Sequence, residues 1–193
     1  MKASRQAWLE RQADLAPESL IFIDESGLST KMARLRGWAP KGRRCRAAVP
    51  HGHWKTITFV GGLTLAGVIA PMLIDQPMDG EIFLAWCEQM LAPALRPGDI
   101  VVMDNLPAHK VAGIRATIEA RRAILLYLPP YSPDFNPIEN AFAKLKANLR
   151  KAAERTVGGL WDAVGRIVDT YTPAESKNYF TAAGYLQPDR LTL

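Results

Sequence analysis

The sequence predicts a mixed α/β sheet with helices on its faces, and three observations lead there. Five apolar or β-branched runs read as strands, at 20–23, 56–63, 67–74, 100–103 and 123–128. The first three come before any sustained helical pattern, so they pair as antiparallel neighbours; the last two alternate with helical periodicity, as in β-α-β-α units. Two of the runs, 20–23 and 100–103, end in an acid, Asp24 and Asp104.

Taken in order, residues 1–17 are a polar, partly helical lead-in whose main apolar side chains are Trp8, Leu9 and Leu15. The first strand follows. Alternate residues share a strand face, so Leu20, Phe22 and Asp24 lie together and Glu25 points the other way. Asp24 is then either an acid at the tip of an apolar face or a turn-starting Asp before Ser26-Gly27. Residues 26–74 contain no Asp or Glu but eight Lys or Arg: Lys31, Arg34, Arg36, Lys41, Arg43, Arg44, Arg46 and Lys55. A solvated surface ordinarily mixes signs. The stretch 31–46 therefore reads as a loop or twisted hairpin that presents cations to phosphates. His51 and His53 follow Cys45, but their spacing matches no zinc site.

The run at 59–74 is 16 residues long with three glycines and a proline. A membrane helix needs about 20 apolar residues, so two buried strands fit better. Residues 81–91 carry Ile82, Phe83, Trp86 and Met90 at helical spacing, and Pro97-Gly98 closes that segment. The strand at 100–103 puts Ile100, Val102 and Asp104 on one face, with Asn105 next; residues 110–122 read as a helix. The last strand runs into LPPYSPDFNPIENAFAKLK at 128–146. Pro129, Pro130 and Pro133 stiffen its loop, Asn136 suits a helix N-cap and Pro137 the first helical position. Ile138, Phe142, Leu145 and Leu149 make one apolar face, and Glu139, Ala143, Lys146 and Arg150 the stripe beside it. Glu139 has two readings here, a functional carboxylate or the partner in a capping box. Two further helices are marked by Leu160, Trp161, Val164 and Ile167, and by the capping-box start Thr172-Pro173-Ala174-Glu175.

Composition narrows the function classes. A net charge of +5 and a pI near 9.4 favour a polyanionic partner. Two cysteines make no disulfide framework, which points to a reducing compartment, and the charged N-terminus has no apolar signal core. If the strands that end in Asp24 and Asp104 lie side by side and parallel, both acids emerge at the edge where open α/β sheets bind ligands. Glu139, at the start of the helix after the last strand, can close the cluster. Three carboxylates together repel one another and resist desolvation unless cations join them. Hard oxygen donors suit Mg²⁺ or Mn²⁺, and two such ions about 3.5–4 Å apart serve phosphodiester chemistry. An acid cluster inside a basic protein is the charge pattern of a nucleic-acid phosphoryl transferase.

The ordered motifs FIDESG, VVMDNLPAHK and LPPYSPDFNPIENAFAKLK resemble the catalytic domain of the mariner-like DDE transposases, most of all their bacterial insertion-sequence branch. Asp104 and Glu139 are separated by 34 residues, the spacing typical of that superfamily, and RGWAPKG at 36–42 resembles the stretch after its first aspartate. The resemblance covers about 20–150. It implies a ribonuclease H-like fold, a mixed five-stranded sheet flanked by helices, with Asp24, Asp104 and Glu139 as catalytic residues and ligands of two Mg²⁺ or Mn²⁺ ions. It implies cleavage at insertion-sequence ends, with the freed 3′-hydroxyl attacking target DNA, usually at TA. Asn105 and His109, beside the second ligand, are candidates to orient a water or phosphate. Lys31, Arg34, Arg36, Lys41, Arg43, Arg44, Arg46, Lys146 and Arg150 are the candidate DNA contacts.

On this reading 1–19 is a lead-in, 20–153 the catalytic core, and 154–193 helices that pack on the core. The expected partners are double-stranded DNA with terminal inverted repeats, a TA-containing target, and a second copy as a homodimer on DNA. Family members carry a helix-turn-helix region before this domain, and only about 19 residues precede the first strand here. That region is therefore expected on a separate chain, or the chain is a fragment. No membrane association is expected, and the location implied is the bacterial cytoplasm, on the nucleoid. The competing readings are another ribonuclease H-like nuclease, such as a junction resolvase, and a domesticated DNA-binding or docking module without chemistry.

Overall fold

All five strands are present in the computed structural model, which describes residues 2–187: β1 Leu20–Ser29, β2 Thr56–Thr64, β3 Gly67–Ile74, β4 Ile100–Met103 and β5 Ile124–Tyr127. Residues 188–193, the end of the C-terminal segment, lie outside the described residues. The strands form one sheet in the order β3-β2-β1-β4-β5. β1, β2 and β3 pair antiparallel, whereas β4 lies parallel to β1 and β5 parallel to β4. The helices are α1 Lys2–Gln12, α2 Gly80–Trp86, α3 Ala92–Ala94, α4 Ile114–Ala120, α5 Ile138–Ala152, α6 Val157–Val168 and α7 Pro173–Ala182.

Strand alternation divides the core in two. Leu20 and Phe22 pack with Phe142, Leu145 and Leu149 of α5, Leu160 and Val164 of α6, and Phe180 of α7. Ile21, Ile23, Val101 and Met103 face the opposite layer, with Phe83, Trp86, Leu91, Ile114 and Ile118. Apolar area removed from water on both faces is what holds the central strands. The α7 capping box forms as read from the sequence, between Thr172 and Glu175. The lead-in docks rather than trailing: the Trp8 indole donates to the Tyr185 hydroxyl at 3.1 Å, and Arg5 pairs with Asp134 of the proline loop at 2.6 Å.

Several boundaries differ from the sequence reading, each for a local reason. β1 does not stop at Asp24. It continues to Ser29 because β2 supplies partners from Phe22 through Ser29. The stretch 31–55 contains no strand, so it is a loop and not a hairpin. The helix expected over 110–122 is only α4, because a 3₁₀ turn at Pro107–Lys110 and Gly113, at φ 104°, delay its start. Helical spacing puts Met90 on the packing face after Trp86, yet Met90 is exposed. A π-helical turn at Cys87–Leu91 adds a residue to the repeat and buries Leu91 in its place. Trp161 is likewise turned partly outward, leaving Leu160 and Val164 to pack.

Candidate active site

The register between β1 and β4 sets the site. Ile23 pairs with Met103, so Asp24 and Asp104 leave the parallel pair at the same level and the same carboxyl edge. β1 continues beyond that point bonded only to β2, which places Asp24 where the strand loses its parallel neighbour. On the other flank Met103 pairs with Tyr127, and the Leu128 N–H donates to the Met103 carbonyl at 2.8 Å. The chain then turns through the proline loop and a 3₁₀ turn at Pro133–Phe135, and enters α5. Asp24, Asp104, Asn105, Asn136 and Glu139 line one cavity of about 320 Å³.

Asn136 does not cap α5. Its Nδ2 donates to Asp24 Oδ2 at 2.8 Å, and the helix starts one residue later than expected, with Pro137 in the cap position and no side-chain cap. The capping-box reading of Glu139 fails with it. Glu139 keeps only its backbone N–H on the Asn136 carbonyl, at 3.2 Å, and its carboxylate lines the cavity. A helix N-terminus presents N–H donors and would take the Asn136 side-chain oxygen, whereas the half-buried Asp24 carboxylate takes the amide N–H; the side chain is turned to serve the carboxylate, since a desolvated charge without a partner is the costlier deficit. Asn136 Oδ1 is left buried with no hydrogen-bond partner. Asp24 Oδ1 accepts the Glu25 N–H at 2.8 Å. Burial pushes the Asp24 carboxyl up to about 7, against that N–H, and the charges of Glu25, Glu139 and Asp104 push the same way.

His109 is more central than a turn residue would be. It is fully buried, with Nε2 2.9 Å from Glu25 Oε2 and Nδ1 2.6 Å from Asp104 Oδ1. The second approach is short but off the hydrogen-bonding direction, and Nδ1 has no aligned partner. Burial works against the charged imidazole, yet Asp104 and Glu25 together raise it to about 9. Glu25 does lie on the opposite strand face, as alternation demands, but it is not remote from the acids: through His109 it reaches Asp104. The 3₁₀ turn opened by Pro107 folds the chain back to make this contact. A histidine five residues after a strand-end acid, with a proline between, is the one sequence signal for it. Asn105 lines the cavity without a hydrogen bond of its own among the described residues.

The cations stand apart from the acids. Arg34, Arg36, Lys41, Arg43, Arg44 and Arg46 are exposed on the 31–55 loop and make no ion pair among the described residues. Lys31 sits over the Trp54 ring at 3.8 Å, and Arg155 ties down the base of the loop by donating to the carbonyls of Thr30 at 3.2 Å and Met32 at 2.8 Å. Lys146 and Arg150 are half-buried on α5 and do not line the cavity. Among the described residues, no three His, Cys, Asp or Glu side chains converge tightly enough to hold a metal ion as they stand. The three carboxylates share a cavity without closing on one point.

Comparison with known proteins agrees with this geometry. No curated protein matches the chain. Among solved structures, the Mos1 transposase paired-end complex with left transposon end superposes with a TM-score of 0.73 at 17% identity, over 94% of this chain and 57% of that one. The Mos1 mariner paired-end complex with Mn gives 0.74 at 16%, over 95% and 58%. The catalytic domain of Mos1 mariner transposase gives 0.67 at 15%, over 95% and 87%. At such identities the likeness is one of fold, the ribonuclease H-like sheet, and this chain spans little more than half the length of the full transposase chains. Residues 19–158 match the family model described as DDE superfamily endonuclease, a stretch that holds Asp24, Asp104 and Glu139 and well over half of the chain. The chain belongs to the DDE superfamily of endonucleases.

Proposed function

We propose that this chain is the catalytic domain of a transposase, which cuts DNA at insertion-sequence ends and transfers the freed 3′-hydroxyl to target DNA. The observation that carries the reading is the shared cavity of Asp24, Asp104 and Glu139 at the carboxyl edge of two parallel strands. Asp24 is held near neutrality by burial and by its acidic neighbours, a penalty that a bound cation would remove. The donor set is all hard oxygen, which fits Mg²⁺ or Mn²⁺. Mos1 complexes with Mn and with Mg among the similar structures support the same choice. Two ions held by the three acids would supply Lewis acidity, activating a water or hydroxyl and neutralising charge on the phosphodiester.

The chain's own groups do the positioning. Asn136 fixes one oxygen of Asp24 and the Glu25 N–H the other, so the carboxylate cannot rotate freely. His109, itself fully buried, sets a cation 2.6 Å from the Asp104 carboxylate when protonated. The basic loop, with Lys146 and Arg150, would bind DNA phosphates and carry no base information. Recognition of inverted repeats would fall to a helix-turn-helix region, whether on the same or a separate chain, and assembly as a homodimer on DNA would bring two element ends together. The core at 20–153 would carry the chemistry, with the flanking segments packed on it. No helix among the described residues is long and apolar enough to cross a membrane. As a DNA-cutting domain of the bacterial insertion-sequence branch, the protein would work with its DNA on the nucleoid.

Nicking of supercoiled plasmid and joining of a 3′-hydroxyl oligonucleotide test the reading. Products are expected with Mg²⁺ or Mn²⁺ and none in EDTA. DNA binding without cleavage in any divalent ion would favour a docking module instead.

A further inference from the structure

One side chain at the mouth of the acid cavity has no role inside the fold. Tyr131 lines the cavity, yet it is 89% exposed, and its hydroxyl makes no hydrogen bond among the described residues. Its backbone is left-handed, at φ 55°, a conformation that suits glycine and disfavours a bulky residue. Local folding would therefore favour a glycine here. A tyrosine in this position is strained, contributes no buried area, and sets an aromatic face beside the carboxylates. Strain of this kind persists at functional sites, where the side chain has a use outside the fold. Leu106, two residues after Asp104, lines the same cavity and is 44% exposed. Pro129, Pro130 and Pro133 line it as well, so the wall around Tyr131 is stiff and apolar.

An acid cavity with an aromatic and an aliphatic side chain exposed on its lining suits a ligand with a phosphodiester and a flat apolar face. A nucleotide whose base is out of the stack has both. We infer that Tyr131, with Leu106, forms a stacking subsite for an unpaired base next to the phosphate over the acids. This rests on the proposed function and deepens it. The substrate is then DNA that is frayed or distorted at the reacting phosphate, not regular duplex, and Tyr131 is a substrate-positioning residue. Base-on-aromatic stacking tolerates any sequence, because every base has a π-face.

The test uses the full chain and two duplexes of equal length, one blunt and one with a short single-stranded overhang carrying 2-aminopurine. Binding is followed by fluorescence with calcium as the divalent ion, under conditions where a gel shows no cleavage. The wild-type chain is expected to quench the unpaired 2-aminopurine and to prefer the overhang. Alanine substitution of stacking aromatics elsewhere weakens binding by roughly fivefold to a hundredfold, and Tyr131→Ala should lose its preference by a factor in that range. Tyr131→Phe should keep both quench and preference. Tyr131→Gly should lose both while melting no lower than wild type, since glycine relieves the left-handed backbone; the loss then cannot be unfolding. Blunt-duplex affinity should stay the same in all four proteins. Absence of quench in the wild type, or an unchanged preference in Tyr131→Gly, overturns the subsite. Failure of the wild type to bind either duplex overturns the nucleic-acid reading itself, so the two failures are distinguishable.

Discussion

The acid cavity and the basic loop solve opposite problems with opposite materials. Around the acids the contacts are specific: Asp24 is held by Asn136 and by the Glu25 N–H, and His109 lies between Asp104 and Glu25. The basic loop at 31–55 has no regular structure, and most of its cations make no bond to the protein. Chemistry needs groups held within a fraction of an ångström, which only strand ends and buried contacts provide. Attraction to a polyanion needs only charge of one sign within reach. Cations therefore count as a sum here, whereas acids count as individuals.

Breaking the individual side of that contrast should have the largest effect. Asp24→Asn, Asp104→Asn or Glu139→Gln should each lower cleavage by at least about a thousandfold, measured as single-turnover nicking. The fold should not suffer. Folding raises the Asp24 pKa from 3.8 to about 7, so the folded protein binds more protons than the unfolded chain between those values. In the metal-free protein the contribution of Asp24 to stability is therefore complete below pH 3.8 and is lost as pH rises through about 7. Asp24→Asn should flatten this decline and raise the melting temperature at pH 8. A lower melting temperature there would show that the carboxylate is structural.

The next effect tests how far the assigned network extends. Glu25→Gln leaves the strand intact but weakens the hold on His109, and so on Asp104. Loss of a group that orients a metal ligand costs typically about 10–100-fold, and cleavage or divalent-ion affinity should fall in that range. An unchanged rate would confine the network to Asn136 and the three acids. The smallest and most uniform effect belongs to the loop. Arg43, Arg44 and Arg46 changed together to Gln should weaken all duplexes alike and reduce the salt slope by about 0.9 for each phosphate no longer neutralised. Cleavage at saturating DNA should not change. A variant that slows cleavage at saturation would mean that the loop also positions the scissile strand.

How legible each region was follows from the same contrast. The loop could be read directly, because an acid-free run of cations depends on no fold. The strand-end acids were legible through alternation, and their common edge followed once the parallel pairing was assumed; the Ile23–Met103 register bears that out. What stayed hidden were bonds between residues distant in sequence. Asn136 looked like a cap because its neighbours are good cap neighbours, and nothing local reveals the carboxylate on β1 to which its amide donates. Glu25 was assigned correctly to the far face, and only the three-dimensional return of His109 makes that face relevant. The π-helical turn that displaces Met90 is likewise a matter of packing, invisible to a fixed period of 3.6.

The strand order has a consequence for biosynthesis. β1 meets β4 across the whole β2–β3 hairpin and α2, and only that late parallel pairing sets Asp24 level with Asp104. Pairings of such sequence separation close slowly, after local hairpins have formed. Glu139 comes later still, at the start of α5. On the proposed function, a nascent chain would expose its cationic loop before its three acids can meet, and so could touch DNA without the means to cut it. Pulse-labelled hydrogen exchange should accordingly protect β2 and β3 before β4. The topology would then act as a safety catch on the proposed cutting site.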